Sequence, residues 1–204
     1  MKTVAIVSQK GGSGKTTIAV HLAVCAELAK KTAAIIDLDP QASAVEWAGR
    51  RESDSPEVIM ATPEQLPALL KQAEANGADL MIIDTAPHSD RAAVVAASHA
   101  DLILIPCRPS AFDVAAIGTT LNLLKLSNVI DRAAILLNAA PSRGSITEAA
   151  AAGLSEMIPV VPVYMYQRVA YSHAINAGHS VEEYEPGGKA AEEIRALYKW
   201  IMKS

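Results

Sequence analysis

Residues Gln9–Thr17 read Q-K-G-G-S-G-K-T-T and follow directly on the apolar run Val4-Ala5-Ile6-Val7. A strand that runs into a glycine-rich loop ending in Lys-Thr, with a helical pattern behind it, leaves few folds open. The glycines Gly11, Gly12 and Gly14, with Ser13 between them, let successive backbone N–H groups point into one concave nest. The helix behind turns its positive end toward the same point, which makes the nest a phosphate cradle. Lys15 adds a point charge for the β- and γ-phosphates, and the Thr16 hydroxyl is placed to reach Mg²⁺. The usual loop has glycine five residues before its last glycine. Here that position is Gln9, and a second lysine, Lys10, follows it.

The rest of the chain alternates strand-like and helix-like segments. Strands are expected at Thr3–Ser8, Ala33–Asp37, Glu57–Met60, Leu80–Asp84, Leu102–Pro106, Ala133–Leu137 and Val160–Val163. Helices are expected at Lys15–Ala29, Gln41–Arg50, Pro63–Asn76, Asp90–Ser98, Asp113–Leu126, Ile146–Met157 and Gly188–Met202. Several strands are continuous Val/Ile/Leu/Ala runs without alternation, as in parallel strands covered on both faces. The expected fold is therefore α/β: a doubly wound, mostly parallel sheet of about seven strands with helices on both faces, of the P-loop NTPase type. A chain of 204 residues reads as a single domain over 1–204. It begins at its first strand, so no N-terminal DNA-reading domain is expected. Arg50–Pro56 reads as a surface loop. Cys25 and Cys107 lie far apart in apolar segments and read as buried thiols. No secretory leader is visible, and no segment approaches the ~20 apolar residues that span a bilayer, so a cytoplasmic protein is expected.

Two acidic segments fall at strand ends, where this fold places its site. Asp37-Leu38-Asp39-Pro40-Gln41 closes the second strand, and its carboxylates at i and i+2 share one side of the pleat. They suit a catalytic switch, and equally the capping of the next helix. Leu80-Met81-Ile82-Ile83-Asp84 delivers one aspartate from a wholly apolar run, the pattern of a Walker B strand. Asp84 is placed to serve the Mg²⁺ shell, mainly through water.

K-G-G-S-G-K-T-T together with D-L-D-P-Q resembles the ParA/MinD family of deviant Walker A ATPases, within it the short ParA-type partition proteins. Ile105–Asp113 (I-P-C-R-P-S-A-F-D) and Gln167–Tyr184 extend the resemblance along the chain. The resemblance implies ATP and Mg²⁺ as ligands and a homodimer in the ATP state, with Lys10 crossing to the partner's nucleotide. It implies cis phosphate roles for Lys15 and Thr16, and Thr17 beside the α-phosphate. Asp39 would orient the attacking water, Asp37 would support the metal site, and Asp84–Pro87 would form a switch. Adenine is expected near Asn138 and Pro106–Asp113. A ParB-like or cargo-adaptor partner that stimulates hydrolysis, and a nucleoid location, follow from the same resemblance.

The last helix carries Arg195, Lys199 and Lys203 in one stripe. Such a stripe is a solvated face balanced by Glu192 and Glu193, or, with Arg168 and Lys189, a contact to the DNA backbone. No base-reading motif is present, so any DNA binding is expected to be independent of sequence. The apolar side of this helix is expected to pack on the sheet. The competing reading, a MinD-like membrane-associated ATPase, needs that side for lipid. A metabolic enzyme on the same fold is the third reading.

Overall fold

The structure, a computed structural model, describes residues 1–204. Six strands form one sheet: β1 (Lys2–Ile6), β2 (Ala33–Asp37), β3 (Glu57–Met60), β4 (Leu80–Asp84), β5 (Leu102–Cys107) and β6 (Ala133–Leu137). All pairings are parallel, in the order β3-β2-β4-β1-β5-β6. β2, β4, β5 and β6 are buried along their whole length, which is why their sequences do not alternate. β3, at the sheet edge, exposes Glu57 and Met60.

Helices α1 (Lys15–Leu28) and α2 (Ser43–Ala48) cover one face. On the other lie α3 (Leu66–Ala75), α4 (Asp90–His99), α5 (Ala111–Leu126) and α6 (Ile146–Ser155). The chain then returns to the first face as α7 (Val169–Asn176), α8 (Val181–Tyr184) and α9 (Lys189–Ile201). Right-handed crossovers dictate this division, because β1→β2→β3 winds one way and β4→β5→β6 the other. Strand side chains serve the two cores in turn: Val4 and Ile6 face α1, while Ala5 and Val7 face the α3–α6 side. Register sets the site. Asp84 lies opposite both Ile6 of β1 and Asp37 of β2, so both acids end their strands at the level where the phosphate loop begins.

Six strands form where the sequence suggests about seven. Val160 makes only an isolated bridge to Ile135. The segment follows β6 through hydrogen bonds from Val161 to Ile135 and from Met165 to Leu137. Pro159 and Pro162 have no N–H to donate, which prevents a continuous ladder. α7 and α8 lie outside the helices expected from the sequence. The last helix also differs in its pairing. Arg195 binds Glu182 at 3.0 Å rather than Glu192 or Glu193, and Glu193 is buried. The apolar side of α9 (Ala190, Ala191, Ile194, Leu197, Ile201) is fully packed in the core. No helix is long and apolar enough to cross a membrane.

Candidate nucleotide site

Between β1 and α1 the loop turns through left-handed backbone at Gly12 (φ 70°) and Gly14 (φ 93°), conformations that glycine alone adopts freely. Two side chains grip its outer side. The Asn138 amide donates to the Ser13 carbonyl at 2.7 Å, and the Arg108 guanidinium donates to the Gly12 carbonyl. None of the backbone N–H groups from Gly11 to Thr17 donates to a protein acceptor. Donors left free of protein acceptors on a glycine-rich loop at a helix N-terminus are available to an anion. The Ser13 hydroxyl, buried beneath the loop, is likewise unpartnered.

Lys15 is buried. Burial pulls its ammonium below the ordinary lysine range, opposed by the nearby charges of Asp84 and then Asp39. Thr16 Oγ1 donates to Asp84 Oδ2 at 2.6 Å, joining the phosphate loop to the end of β4. The other Asp84 oxygen is buried without a partner. Burial pushes this carboxyl up to about 7, against the Thr16 hydrogen bond that pulls it down. Thr85 beside it donates to the Ile6 carbonyl at 2.8 Å, which fixes the strand end against β1.

Of the two roles left open by the sequence, Asp37 takes the capping one. Both oxygens of Asp37 accept backbone N–H groups at 3.0 Å, from Asp39 and from Ala44 in α2. Asp37 thus shapes the turn and caps the helix, while remaining the register neighbour of Asp84. Asp39 is only half-buried and accepts from the Gln41 N–H at 2.9 Å. No cluster of three His, Cys, Asp or Glu side chains could hold a metal alone. The available oxygen donors, Asp84 and Thr16, suit Mg²⁺, which keeps several waters and takes the rest of its shell from phosphate.

Lys10 is set apart from this group. Its amine stands 2.9 Å from Asp113 Oδ1 near the start of α5, and its side chain is 40% exposed, against the buried Lys15. The preceding Gln9 donates to Asp90 Oδ1 of α4 at 2.8 Å. Asn138, expected near adenine, lies against the loop: a Cβ on Gly14 would stand 2.2 Å from its amide nitrogen. The five basic residues singled out for DNA contact separate into two groups. Arg168 and Lys189 line a polar hollow with Ser142, Arg143 and Tyr166. Arg168 is held there by the buried Glu193, which also accepts from Tyr171 Oη at 2.9 Å. Arg195, Lys199 and Lys203 follow α9 away from that hollow, toward the start of β1, where Lys2 donates to the Ser204 carbonyl. Arg108, Asp113 and Arg143 were not singled out from the sequence. The first two lie in the segment Ile105–Asp113, whose resemblance was the available signal.

Residues 4–181 match the CobQ/CobB/MinD/ParA nucleotide binding domain. The chain is 32% identical to the maintenance of carboxysome distribution protein A of Gloeobacter kilaueensis, across 99% of this chain and 93% of that protein. It is also 32% identical to the protein ParA of Rhizobium radiobacter, covering 100% and 97% of the two chains. The septum site-determining protein MinD of Pyrococcus horikoshii, solved with Mg-ADP, superimposes with a TM-score of 0.81. That match is 18% identical and covers 99% of this chain and 96% of that one, so it is a likeness of fold.

Proposed function

The chain belongs to the ParA/MinD family of nucleotide-binding ATPases, and from that premise we propose that it uses ATP as a dimerisation and localisation switch. The ATP-bound form pairs as a homodimer and grips DNA without regard to sequence. Slow hydrolysis, stimulated by a ParB-like or cargo-adaptor protein, releases it, and the cycle positions a cargo on the nucleoid. One observation carries this reading. The loop presents two lysines in different settings, Lys15 buried among Asp84 and Asp39, and Lys10 part-exposed and paired with Asp113 of α5 instead of those two acids. One phosphate site uses one such lysine; a second, part-exposed lysine suits the phosphates held by another copy.

Each residue then has a physical task. The free N–H groups of Gly11–Thr17 hold the phosphates, and Lys15 neutralises them in a site of low polarity. Thr16 and Asp84, with Asp37 behind them, would hold Mg²⁺, the carboxylates mainly through water. When bound, the ion neutralises charge on the transferred phosphoryl group. Asp39 orients the attacking water by accepting its hydrogen bond. Lys10 of a second copy supplies a further positive charge where charge develops in the transition state. Asn138 steadies the loop and borders the space expected for adenine.

DNA contact is assigned first to Arg168 and Lys189, joined by Arg143 in the same hollow, with Arg195, Lys199 and Lys203 as a second group. The protein carries a formal net charge of −4, so contact depends on the presented face, and pairing doubles whatever patch each copy carries. The relatives named for ParA and for carboxysome distribution support a positioning role, with the cargo being a plasmid, a chromosome or a protein complex. The test is binding to random-sequence duplex DNA with ATP, with ADP and without nucleotide, across a salt series. Binding with ATP alone that falls steeply with salt is expected. Hydrolysis without any ATP-dependent DNA binding would remove the nucleoid from the reading.

A further inference from the structure

Lys10 does not extend freely from the loop. Its amine is 2.9 Å from Asp113 Oδ1, and the Asp113 side chain is only 11% exposed. Asp113 occupies the third position of α5, where Ser110 caps the helix. The Ser110 hydroxyl accepts from the Asp113 N–H at 3.2 Å and donates to the second carboxylate oxygen. The carboxylate is therefore fixed by the cap, and the positive end of the helix favours its charge. Burial pushes the Asp113 carboxyl upward, and the Ser110 hydroxyl and Lys10 more than offset it, leaving it below the usual carboxylate range. A flexible lysine thus meets a preorganised partner in its own chain.

We propose that Asp113 is a positioning residue for Lys10: it holds the amine within its own subunit until nucleotide is present, and opening this ion pair is a step of dimerisation. The inference rests on the switch reading above, because it assigns Lys10 a destination in a second copy. The exchange is electrostatically sensible. Lys10 gives up a single carboxylate for a polyphosphate, which carries several negative charges. Asp113 left behind keeps the Ser110 hydroxyl, the helix end and the nearby Arg108 charge, which lower the cost of leaving its carboxylate without Lys10. Phe112 beside it is 85% exposed on the same rim, the kind of apolar surface that a protein contact covers. Gln9, tied to Asp90 of α4, restrains the loop a second time.

The experiment is sedimentation equilibrium of the wild type, Asp113→Asn and Asp113→Glu with Mg²⁺ and a non-hydrolysable ATP analogue. Mass-spectrometric measurement of Lys10 labelling by an amine reagent accompanies it, on the nucleotide-free proteins. In Asp113→Asn, Lys10 should label faster. Its dimer should tighten by roughly two- to fivefold for each of the two ion pairs opened, the range expected of a half-exposed pair. Asp113→Glu should restore wild-type behaviour in both measurements. A general loss of structure weakens dimers, so tighter dimers cannot come from damage. Wild-type dimers with no gain in Asp113→Asn, or unchanged Lys10 labelling, would overturn the proposal alone. No dimer in any of the three proteins would overturn the switch reading and this inference with it.

Discussion

The Thr16 hydroxyl donates to Asp84 over 2.6 Å, while the second oxygen of Asp84 is buried with no partner at all. This half-satisfied carboxyl, pushed up to about 7 chiefly by burial, holds its proton more tightly in the folded chain than in the unfolded one. The sign follows. In the free protein this group costs stability as pH rises from about 4, the unfolded value, toward about 7. A cation at Asp84 must displace the proton, so it binds better above that range. Mg²⁺ titration of the ADP complex between about pH 6 and pH 8 should show affinity rising by up to roughly tenfold per unit below 7 and then levelling. Asp84→Asn should weaken binding and flatten the profile. A flat profile in the wild type would dissociate Asp84 from the metal.

Gly14 offers a test of the loop itself. An alanine there meets the Asn138 amide nitrogen at 2.2 Å and must also adopt φ 93°. The backbone cost alone is about 1–2 kcal/mol, and Asn138 cannot swing away without releasing the Ser13 carbonyl. Gly14→Ala should weaken ADP binding by at least roughly tenfold in calorimetry. Adding Asn138→Ala removes the collision but not the strained φ, so affinity should recover only in part. Full recovery would mean that the left-handed backbone carries no cost here.

How far the sequence revealed this molecule depends on the range of the interaction concerned. β2, β3, β4 and β6 begin and end where their composition places them; for β2, β4 and β6 the reason is burial on both faces, which leaves near-continuous apolar runs. The phosphate loop, Asp39 and Asp84 are legible for a related reason: each stands at a strand end, where the local pattern changes. Val160–Val163 has strand composition, but Pro159 stands before it and Pro162 within it in the sequence, and they keep it from a continuous ladder. α7 and α8 are short, and isolated helices of that length do not hold. They exist because Tyr171 packs beside His21 and Ser180 forms a capping box with Glu183. The Lys10–Asp113 pair joins residues far apart in the chain, and no local spacing announces it. The division of the basic residues between two surfaces is likewise a product of packing.

Asp39 is the candidate for orienting water, and its one hydrogen bond, from the Gln41 N–H, leaves its other carboxylate oxygen free to accept. Asp39→Ala removes the carboxylate and leaves the phosphate nest, Lys15 and Asp84 in place. Nucleotide affinity should stay within roughly twofold of wild type, while ATP turnover falls by about 100-fold or more, the scale of a lost acid–base group. ATP-dependent dimers should persist and accumulate. Turnover at the wild-type rate, followed by phosphate release, would remove Asp39 from the mechanism.

His21 ties the helix behind the phosphate loop to the far end of the chain. It is fully buried in α1, where Nδ1 accepts the Val181 N–H at 3.2 Å and the ring lies 5.2 Å from that of Tyr171. Burial pushes its pKa down to about 3, with Glu183 opposing. The folded protein therefore keeps this imidazole neutral where the unfolded chain, titrating near 6.5, takes a proton. Above about 6.5 the group is neutral in both states and costs nothing. As pH falls from about 6.5 toward about 3, stability drops by up to about 1.4 kcal/mol per unit from this residue. His21→Gln preserves a neutral acceptor for the Val181 N–H but has no proton to take up in the unfolded state. Urea melts between about pH 4 and pH 7 should show a lower stability at neutral pH, by about 1–2 kcal/mol for the imperfect fit, and a visibly flatter acid limb. Equal slopes in the two proteins would assign the acid sensitivity elsewhere.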